Sequence, residues 1–371
     1  MYQKHSTPAT TSKTATVAET RLPQADAHVI DQTDALRSHW RRAGMADNTA
    51  AALASSTRIF NAWCEARQIV PTGQEPTPYY PTAPETVALF AHQLAFGEWT
   101  TPRADADGGR KAKASGMKPA TVARHVAMIA KAHKLADFPS PSISPIVTDA
   151  LKAIRRTKRT RQDQAAPITR DTLGVILDHL DHAPADEPAP ARLRRLRDAA
   201  LLATAFSACL RESEIAALEV RHVYSEDDGT GAVEIEASKT DQEGEGDLRF
   251  MSRLAMDRLK AWTDAAQIDH GPLFIPVKGA KPVKNALAML PREIGRIFKR
   301  RAMEAGIENA DQITGHSTRV GAAQTAAKHG ASVVEIQRMG AWKSARMPAH
   351  YTRRQSVKES AAAKIAAAYG D

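Results

Sequence analysis

Two cationic motifs stand at predicted helix ends in the second half of the chain. Arg211 follows a long apolar stretch, residues 199–210, and His316 and Arg319 open a segment of small residues. A guanidinium binds phosphate as a two-pronged donor and stays charged, and an imidazole changes charge near neutral pH. The start of a helix also favours an anion. Each motif read alone equally fits an ordinary solvated helix end.

Three further side chains have types that phosphate chemistry uses. Lys239 stands in a polar turn after a predicted strand, and Trp342 is followed nine residues later by Tyr351. A phenol has a pKa near 10 and acts as a nucleophile only with a base or a positive field beside it. Taken singly, the lysine fits a solvated turn, and the tryptophan and tyrosine fit core packing.

The elements that must position these residues are mainly helices. Apolar residues recur with helical period, and a capping box of Ser332 and Glu335 precedes a helix stop at Gly340. Alternation over 232–237 and 247–251 predicts one antiparallel hairpin. The predicted helices cover 47–63, 85–94, 119–129, 146–156, 170–182, 193–209, 212–219, 252–266, 287–305, 317–329 and 332–339. No βαβ alternation and no phosphate-binding P-loop motif occurs, which disfavours a nucleotide-binding fold.

Composition narrows the class of protein. The chain has 371 residues and a net charge of +9, so a nucleic-acid partner is favoured. Cys64 and Cys209 are too few for a disulfide framework. No apolar run is long enough to span a membrane, and the polar residues 1–30 predict a flexible tail rather than a signal peptide. We therefore expect a cytoplasmic protein.

Basic residues cluster around residue 158. This stretch predicts either a solvated helix end or a linker that crosses DNA phosphates. Its candidate phosphate contacts are Arg155, Arg156, Lys158, Arg159 and Arg161. A second basic run predicts either contacts with phosphate or a solvated helix face; it consists of Arg292, Arg296, Lys299, Arg300 and Arg301.

The order and spacing of the chemical residues resemble the catalytic set of the tyrosine recombinases, the phage integrase family. The matching positions are Arg211, Lys239, His316, Arg319, Trp342 and Tyr351, with Glu214 at a family acidic position. The stretch HSTRVGAAQTAAKHGASVVEIQRMGAW is especially similar, although Trp342 stands where most members have histidine. NAWCEARQ and KPATVARHVAMIAKAHKLA resemble the family's N-terminal DNA-clamping domain.

The resemblance implies a mainly α fold with a small antiparallel sheet in the catalytic domain, arranged as a two-domain, C-shaped DNA clamp. The expected divisions are a tail (1–30), a helical core-DNA-binding domain (31–157), a basic linker (158–168) and a catalytic domain with a terminal exchange helix (169–371).

The resemblance also implies roles for the site residues. Tyr351 attacks the scissile phosphate, Arg211 and Arg319 hold its oxygens, and His316 assists the tyrosine or the phosphate. Lys239 is the general acid, Trp342 offers an indole N–H and apolar bulk, and Glu214 orients an arginine or the histidine. No metal, nucleotide or other cofactor is required.

The implied function is site-specific recombination without ATP, through a 3′-phosphotyrosine. The implied partners are duplex DNA with short inverted-repeat core sites and three further copies of the chain, in a bacterial, phage or plasmid setting near the nucleoid. A type IB topoisomerase, a catalytically inactive DNA-binding relative and a purely structural helical protein are the alternatives.

Overall fold

The computed structural model describes residues 33, 36–37, 43–73, 79–99, 116–159, 164–182, 184, 186–236, 246–277, 287–358 and 360–369. The predicted tail lies outside the described residues. The chain divides into two compact units, Met1–Gln162 and Asp163–Asp371. This division falls inside the predicted linker, 158–168.

The first unit is helical. Its helices are α1 (Asp47–Ala66), α2 (Pro84–Phe96), α3 (Pro119–Leu135) and α4 (Pro145–Lys158). Proline occupies the first position of α2, α3 and α4, where the missing N–H costs nothing. Phe60, Trp63 and Phe90 are fully buried in the centre, where Phe90 packs edge to face against the other two rings and those two rings stack on each other. The buried indole N–H of Trp63 donates to Gln93 Oε1 at 2.9 Å.

The second unit carries the remaining elements. Its helices are α5 (Arg170–Asp181), α6 (Ala189–Ser207), α7 (Glu212–Ala217), α8 (Arg253–Ala266), α9 (Pro291–Glu304), α10 (Ser317–Lys328), α11 (Val333–Met339), α12 (Arg346–Tyr351), α13 (Arg353–Lys358) and α14 (Ala361–Tyr369). The core starts before α5, because Ile168 is fully buried and its N–H donates to the Ser317 carbonyl at 2.9 Å.

A three-stranded antiparallel sheet lies in this unit, in the order β1 (Val223–Ser225), β2 (Gly231–Ile235) and β3 (Asp247–Met251). The predicted hairpin is confirmed as β2 and β3. The strand β1 was not predicted, because three residues are too few to show an alternation.

The helix α6 forms the centre of the second unit. Residues 199–205 along it are all buried, so apolar side chains surround the helix on every side. Such a helix is fixed by its packing, and it delivers the segment from Cys209 to Arg211 to one defined place. The mainly α class with a small antiparallel sheet is confirmed.

Candidate active site

Arg211 is held in place by Glu214. Arg211 stands at the N-cap of α7, and its backbone N–H donates to Glu214 Oε2 at 2.8 Å. The guanidinium Nη1 of Arg211 also donates to Glu214 Oε1. Glu214 is 4% exposed, whereas the Arg211 side chain is 20% exposed. This is not a solvated helix end: a buried carboxylate aims a guanidinium that still reaches the surface.

Arg319 lies deeper, in the first turn of α10. It is 2% exposed, donates from Nη2 to the Gly340 carbonyl at 2.8 Å and from Nη1 to the Cys209 carbonyl. Its Nη1 is 4.0 Å from Glu214 Oε2. Burial, and then the charge of Arg211, lower the pKa of Arg319. The pair of guanidiniums therefore shares one carboxylate and forms a positively charged site suited to an anion.

The carbonyls that hold Arg319 come from two strained turns. Cys209 has φ +52°, and Ala341, directly after Gly340, has φ +42°. A side chain in this left-handed region costs about 1 kcal/mol or more, and both residues follow a helix end, where backbone hydrogen bonds to the last helical turn close the chain reversal. Both turns flank the Arg319 guanidinium, which ties the end of α6 to the end of α11.

Trp342 joins Arg319 to Tyr351. The guanidinium carbon of Arg319 lies 4.5 Å from the centroid of the indole, and the Tyr351 ring lies 5.9 Å from it at an interplanar angle of 63°. Tyr351, the last residue of α12, packs against a small apolar cluster that includes Cys209, Ala323 and Trp342. Its backbone carbonyl accepts a hydrogen bond from Gln324 Nε2 at 3.2 Å.

The protonation of Tyr351 reflects two opposing effects. Burial raises the pKa of the phenol, while the charges of Arg319 and Arg211 lower it. Burial prevails in the free protein, so the phenol is protonated at neutral pH. The two arginines are nevertheless close enough to favour the phenolate, which is the charge state that a nucleophile needs.

His316 stands at the N-cap of α10 with an exposed side chain. Its backbone N–H donates to Thr314 Oγ1 at 3.2 Å. Loss of hydration, followed by the charges of Arg319 and Arg211, lowers the pKa of the imidazole below its usual 6.5. The ring is therefore neutral at pH 7 and able to accept a proton.

Lys239 lies outside the described residues, in the segment 237–245 between β2 and β3. The structure thus brings together Arg211, Glu214, His316, Arg319, Trp342 and Tyr351 of the predicted set, and Lys239 stays a prediction.

Sequence reasoning missed Glu212. Its carboxylate accepts backbone N–H groups from Gly295 in α9 and from Gly315, the residue before His316. A Cβ at Gly315 would stand 1.8 Å from Glu212 Oε1, and one at Gly295 2.3 Å from it. Burial raises the pKa of Glu212. The contact fixes the start of α7 to the turn that presents His316, and no pattern in the sequence signals it.

A second missed residue is Arg249 in β3. Its side chain is 4% exposed, and its Nη1 donates to the Met339 carbonyl at 2.7 Å. A sequence signal did exist, because Arg249 alternates in step with Met251, which faces the core. An inward-facing charge in a strand is a functional candidate.

The basic residues predicted to contact phosphate differ in how far their side chains are exposed. Arg155, Arg156 and Arg159 are exposed, and Arg161 lies outside the described residues. Lys158 is half-buried: its ammonium donates to the Ala95 carbonyl and to the Met117 carbonyl at 3.3 Å, and it lies 5.7 Å from the Phe96 ring centroid. The Lys158 ammonium is therefore engaged within the first unit.

The second basic run is partly structural as well. Arg300 and Arg301 donate to the same oxygen of Asp198, which is fully buried, at 2.9 and 2.8 Å. Lys299 donates to the Asp311 carbonyl at 2.6 Å. These three side chains anchor α9 to neighbouring segments, while the Arg300 side chain also remains 49% exposed.

Across the described ranges, no group of His, Cys, Asp and Glu is arranged to hold a metal ion. Within those same ranges no helix is long and apolar enough to cross a bilayer.

Comparisons with known proteins identify the family of this chain. Residues 168–357, just over half of the chain, match the phage integrase family. An integrase/recombinase xerD homolog of Selenomonas ruminantium is 28% identical over 321 residues, spanning 84% of this chain and 83% of the relative. The recombinase cre of Escherichia phage P1 is 23% identical over 338 residues, spanning 87% and 89%.

Solved structures show the same fold. The Tn1549 transposon integrase in complex with transposon right end DNA aligns with a TM-score of 0.54 at 14% identity, covering 88% of this chain and 97% of that one. XerH site-specific recombinase, bound to a palindromic difH substrate in a post-cleavage complex, aligns with a TM-score of 0.50 at 14% identity, covering 87% and 80%. With the family match extending across the paired arginines, Trp342 and Tyr351, the chain belongs to the phage integrase family and is a tyrosine site-specific recombinase.

Proposed function

We propose that this protein cuts and rejoins duplex DNA at specific sites through a covalent 3′-phosphotyrosine on Tyr351. One observation carries the proposal: within a single chain, the Tyr351 ring packs on Trp342, and Trp342 in turn lies against the Arg319 guanidinium. A nucleophile and a phosphate-binding cation are thus joined by a rigid aromatic side chain.

The proposed reaction is a transesterification. The Tyr351 oxygen forms a bond to phosphorus, and the bond from phosphorus to the 5′ oxygen breaks. Arg211 and Arg319 bind the non-bridging oxygens, where negative charge accumulates. Removing one such preorganised donor typically costs about 10²–10³ in rate. Because the ester bond is conserved, a 5′ hydroxyl reverses the step without ATP.

Two protons move in this step. The phenol proton leaves as the bond forms, and neutral His316, at the N-cap of α10, is our candidate for the acceptor. The leaving 5′ oxygen needs a proton, and we assign Lys239 as its donor. The Glu214 carboxylate holds the guanidiniums of Arg211 and Arg319 in position. No metal and no nucleotide takes part.

We further propose that the substrate carries short inverted repeats and that four copies act on two sites. The net charge of +9 and the exposed Arg155, Arg156 and Arg159 support contact with phosphates. The helix α14, whose Ile365 and Tyr369 side chains are 59% and 82% exposed, is the proposed element that docks on a neighbouring copy. A short alanine-rich helix gains most of its stability from packing, which fits this use.

The test uses nicked duplexes that release a short fragment after cleavage, so that the covalent complex cannot religate. The duplexes are drawn from DNA beside the gene and incubated with the full chain, in EDTA and without nucleotide. We expect an adduct with the wild type and with Tyr224→Phe, an exposed control, and none with Tyr351→Phe.

The other outcomes contradict the proposal. Adducts on every duplex together with relaxation of any plasmid would identify a type IB topoisomerase activity. Specific binding without an adduct would identify a catalytically inactive relative. An undiminished adduct from Tyr351→Phe would remove Tyr351 from the reaction.

A further inference from the structure

Arg249 is a buried charge in the sheet of the second unit. It faces the core from β3, opposite Val233, and is 4% exposed. Its Nε donates to Asp247 Oδ2 at 2.6 Å, two residues earlier on the same strand. Burying a guanidinium costs free energy even when it is paired, and apolar residues in place of a buried ion pair are often neutral or stabilising. Packing alone therefore does not account for an arginine here.

A second donor of Arg249 reaches the end of α11. Nη1 donates to the Met339 carbonyl at 2.7 Å, and Arg319 Nη2 donates to the next carbonyl, that of Gly340, at 2.8 Å. Nη2 of Arg249 is buried and has no hydrogen-bond partner within the described part of the chain. Two guanidiniums thus hold consecutive carbonyls at the end of one helix, where the helix dipole is negative.

The turn that follows carries Trp342. Ala341 has φ +42°, and the Trp342 N–H donates back to the Gln337 carbonyl at 3.0 Å, so this turn closes α11 as a left-handed helix cap. The two carbonyls just before Ala341 are in addition held by side chains, one from β3 by Arg249 and the other from α10 by Arg319. The position of the indole over Arg319 therefore depends on both arginines.

We propose that Arg249 is a positioning residue for strand cleavage. It anchors the turn from Met339 to Trp342 on the sheet, and so keeps Trp342 and Arg319 in the arrangement that receives the scissile phosphate. This inference rests on the proposed function. Arg249 touches no reacting atom and acts through the turn.

Arg249→Met separates this role from a merely structural one. Methionine fills a similar space without a charge, and the Asp247 carboxylate, whose side chain is 34% exposed, stays in contact with water, so we expect the thermal unfolding midpoint to change little. The rate of adduct formation on the suicide duplex should fall about 10²-fold, since a misplacement of about 1 Å has that effect. Arg258→Met, which removes a bidentate pair with Asp181 elsewhere in the same unit, is the matched control and should cleave at the wild-type rate.

Two further measurements identify the route of the effect. Trp342→Ala combined with Arg249→Met should lose no more rate than the worse single variant, because both act through one turn. On a duplex with sulfur as the bridging 5′ atom, whose leaving group needs no proton, the defect of Arg249→Met should remain the same size. If the defect disappears on that duplex, Arg249 acts by assisting protonation of the leaving group, and the proposal is overturned.

The controls keep the outcomes distinct. If the wild type forms no adduct, the proposed function fails; if the wild type reacts and Arg249→Met reacts equally fast, only this inference fails. Should Arg249→Met not fold, Arg249→Lys decides, since it keeps the charge and one donor: a rate about tenfold below the wild type supports the proposal, and an equal rate contradicts it.

Discussion

The guanidinium of Arg319 lies over the indole face of Trp342, with 4.5 Å between the guanidinium carbon and the ring centroid. Such a contact between a cation and an aromatic face contributes about 2 kcal/mol when both groups are desolvated. Arg319 is 2% exposed and Trp342 is 9% exposed, so this condition holds. Histidine offers a smaller ring and, when protonated, a like charge, so the tryptophan suits a deeply buried arginine.

Substitutions at Trp342 separate the ring face from the indole N–H. Trp342→Ala should lower the free energy of unfolding by about 3 kcal/mol and slow cleavage strongly, because it leaves a cavity beside Arg319 and Tyr351. Trp342→Phe keeps an aromatic face and should remain within about tenfold of the wild-type rate. Denaturant titration and suicide-substrate kinetics measure the two effects. A phenylalanine variant as slow as the alanine variant would assign the role to the N–H.

Gly315 should tolerate no side chain. A methyl group there would overlap Glu212 Oε1, so Gly315→Ala should cost about 2 kcal/mol of stability and displace His316. The double variant Gly315→Ala with Glu212→Ala removes the overlap and should recover much of that stability. Gly174→Ala is the control, since its nearest neighbour would be 3.6 Å away. Equal melting temperatures for the single and double variants would refute the contact.

The first unit should lose stability in mild acid because of His125. Its ring is 1% exposed and lies 2.9 Å from Ser56 Oγ. Burial, and then Arg124, lower the pKa of His125 to about 4. The unfolded chain binds this proton near pH 6.5. The stability that neutral, buried His125 contributes to the first unit is therefore complete above that pH and is lost as the pH falls toward 4. Between pH 7 and pH 5 the free energy of unfolding of the first unit should fall by about 2 kcal/mol.

Amide hydrogen exchange in α1 and α3 measures this loss without interference from the second unit. His125→Gln, which can still bond to Ser56, should show a flatter pH dependence over the same range. An unchanged pH dependence in that variant would contradict the assignment to His125.

Salt dependence should distinguish the exposed arginines of α4 from Lys158. Replacing Arg155, Arg156 or Arg159 by alanine should make the slope of log affinity against log salt less steep by about 0.9 each, if each contacts one phosphate. Lys158→Met should leave the slope unchanged and lower the melting temperature, because the ammonium joins the Ala95 and Met117 carbonyls. The reverse pattern would show that Lys158 contacts DNA.

The sequence alone predicts those elements whose apolar residues repeat regularly over many positions. It also suggests which residues form the candidate site, because their order along the chain resembles that of a known family. The helix α10 and the hairpin of β2 and β3 were predicted where they occur, and the capping box at Ser332 is present. Gly340 ends α11 as predicted, but its φ is −104°; the left-handed residue is Ala341, whose N–H donates to the Arg338 carbonyl at 3.0 Å in the turn that closes the helix.

What could not be predicted is the partner of each charge. Arg300, Arg301 and Lys158 look like solvated cations in the sequence, and only the packing of distant segments places a buried carboxylate or carbonyl beside them. The partners of Glu212 could not be predicted for the same reason, because Gly295 and Gly315 lie far from it along the chain. Local patterns specify helices and strands, whereas polar contacts between distant segments depend on the completed fold.

The most direct test of the account is to identify the side chain that carries the DNA. The covalent complex is trapped on a suicide duplex, digested with nuclease and trypsin, and analysed by tandem mass spectrometry. We predict a nucleotide that is joined through its 3′ phosphate to the phenolic oxygen of Tyr351, within the tryptic peptide of residues 347–353. A nucleotide on any other residue, or a 5′ linkage, would contradict the central claim.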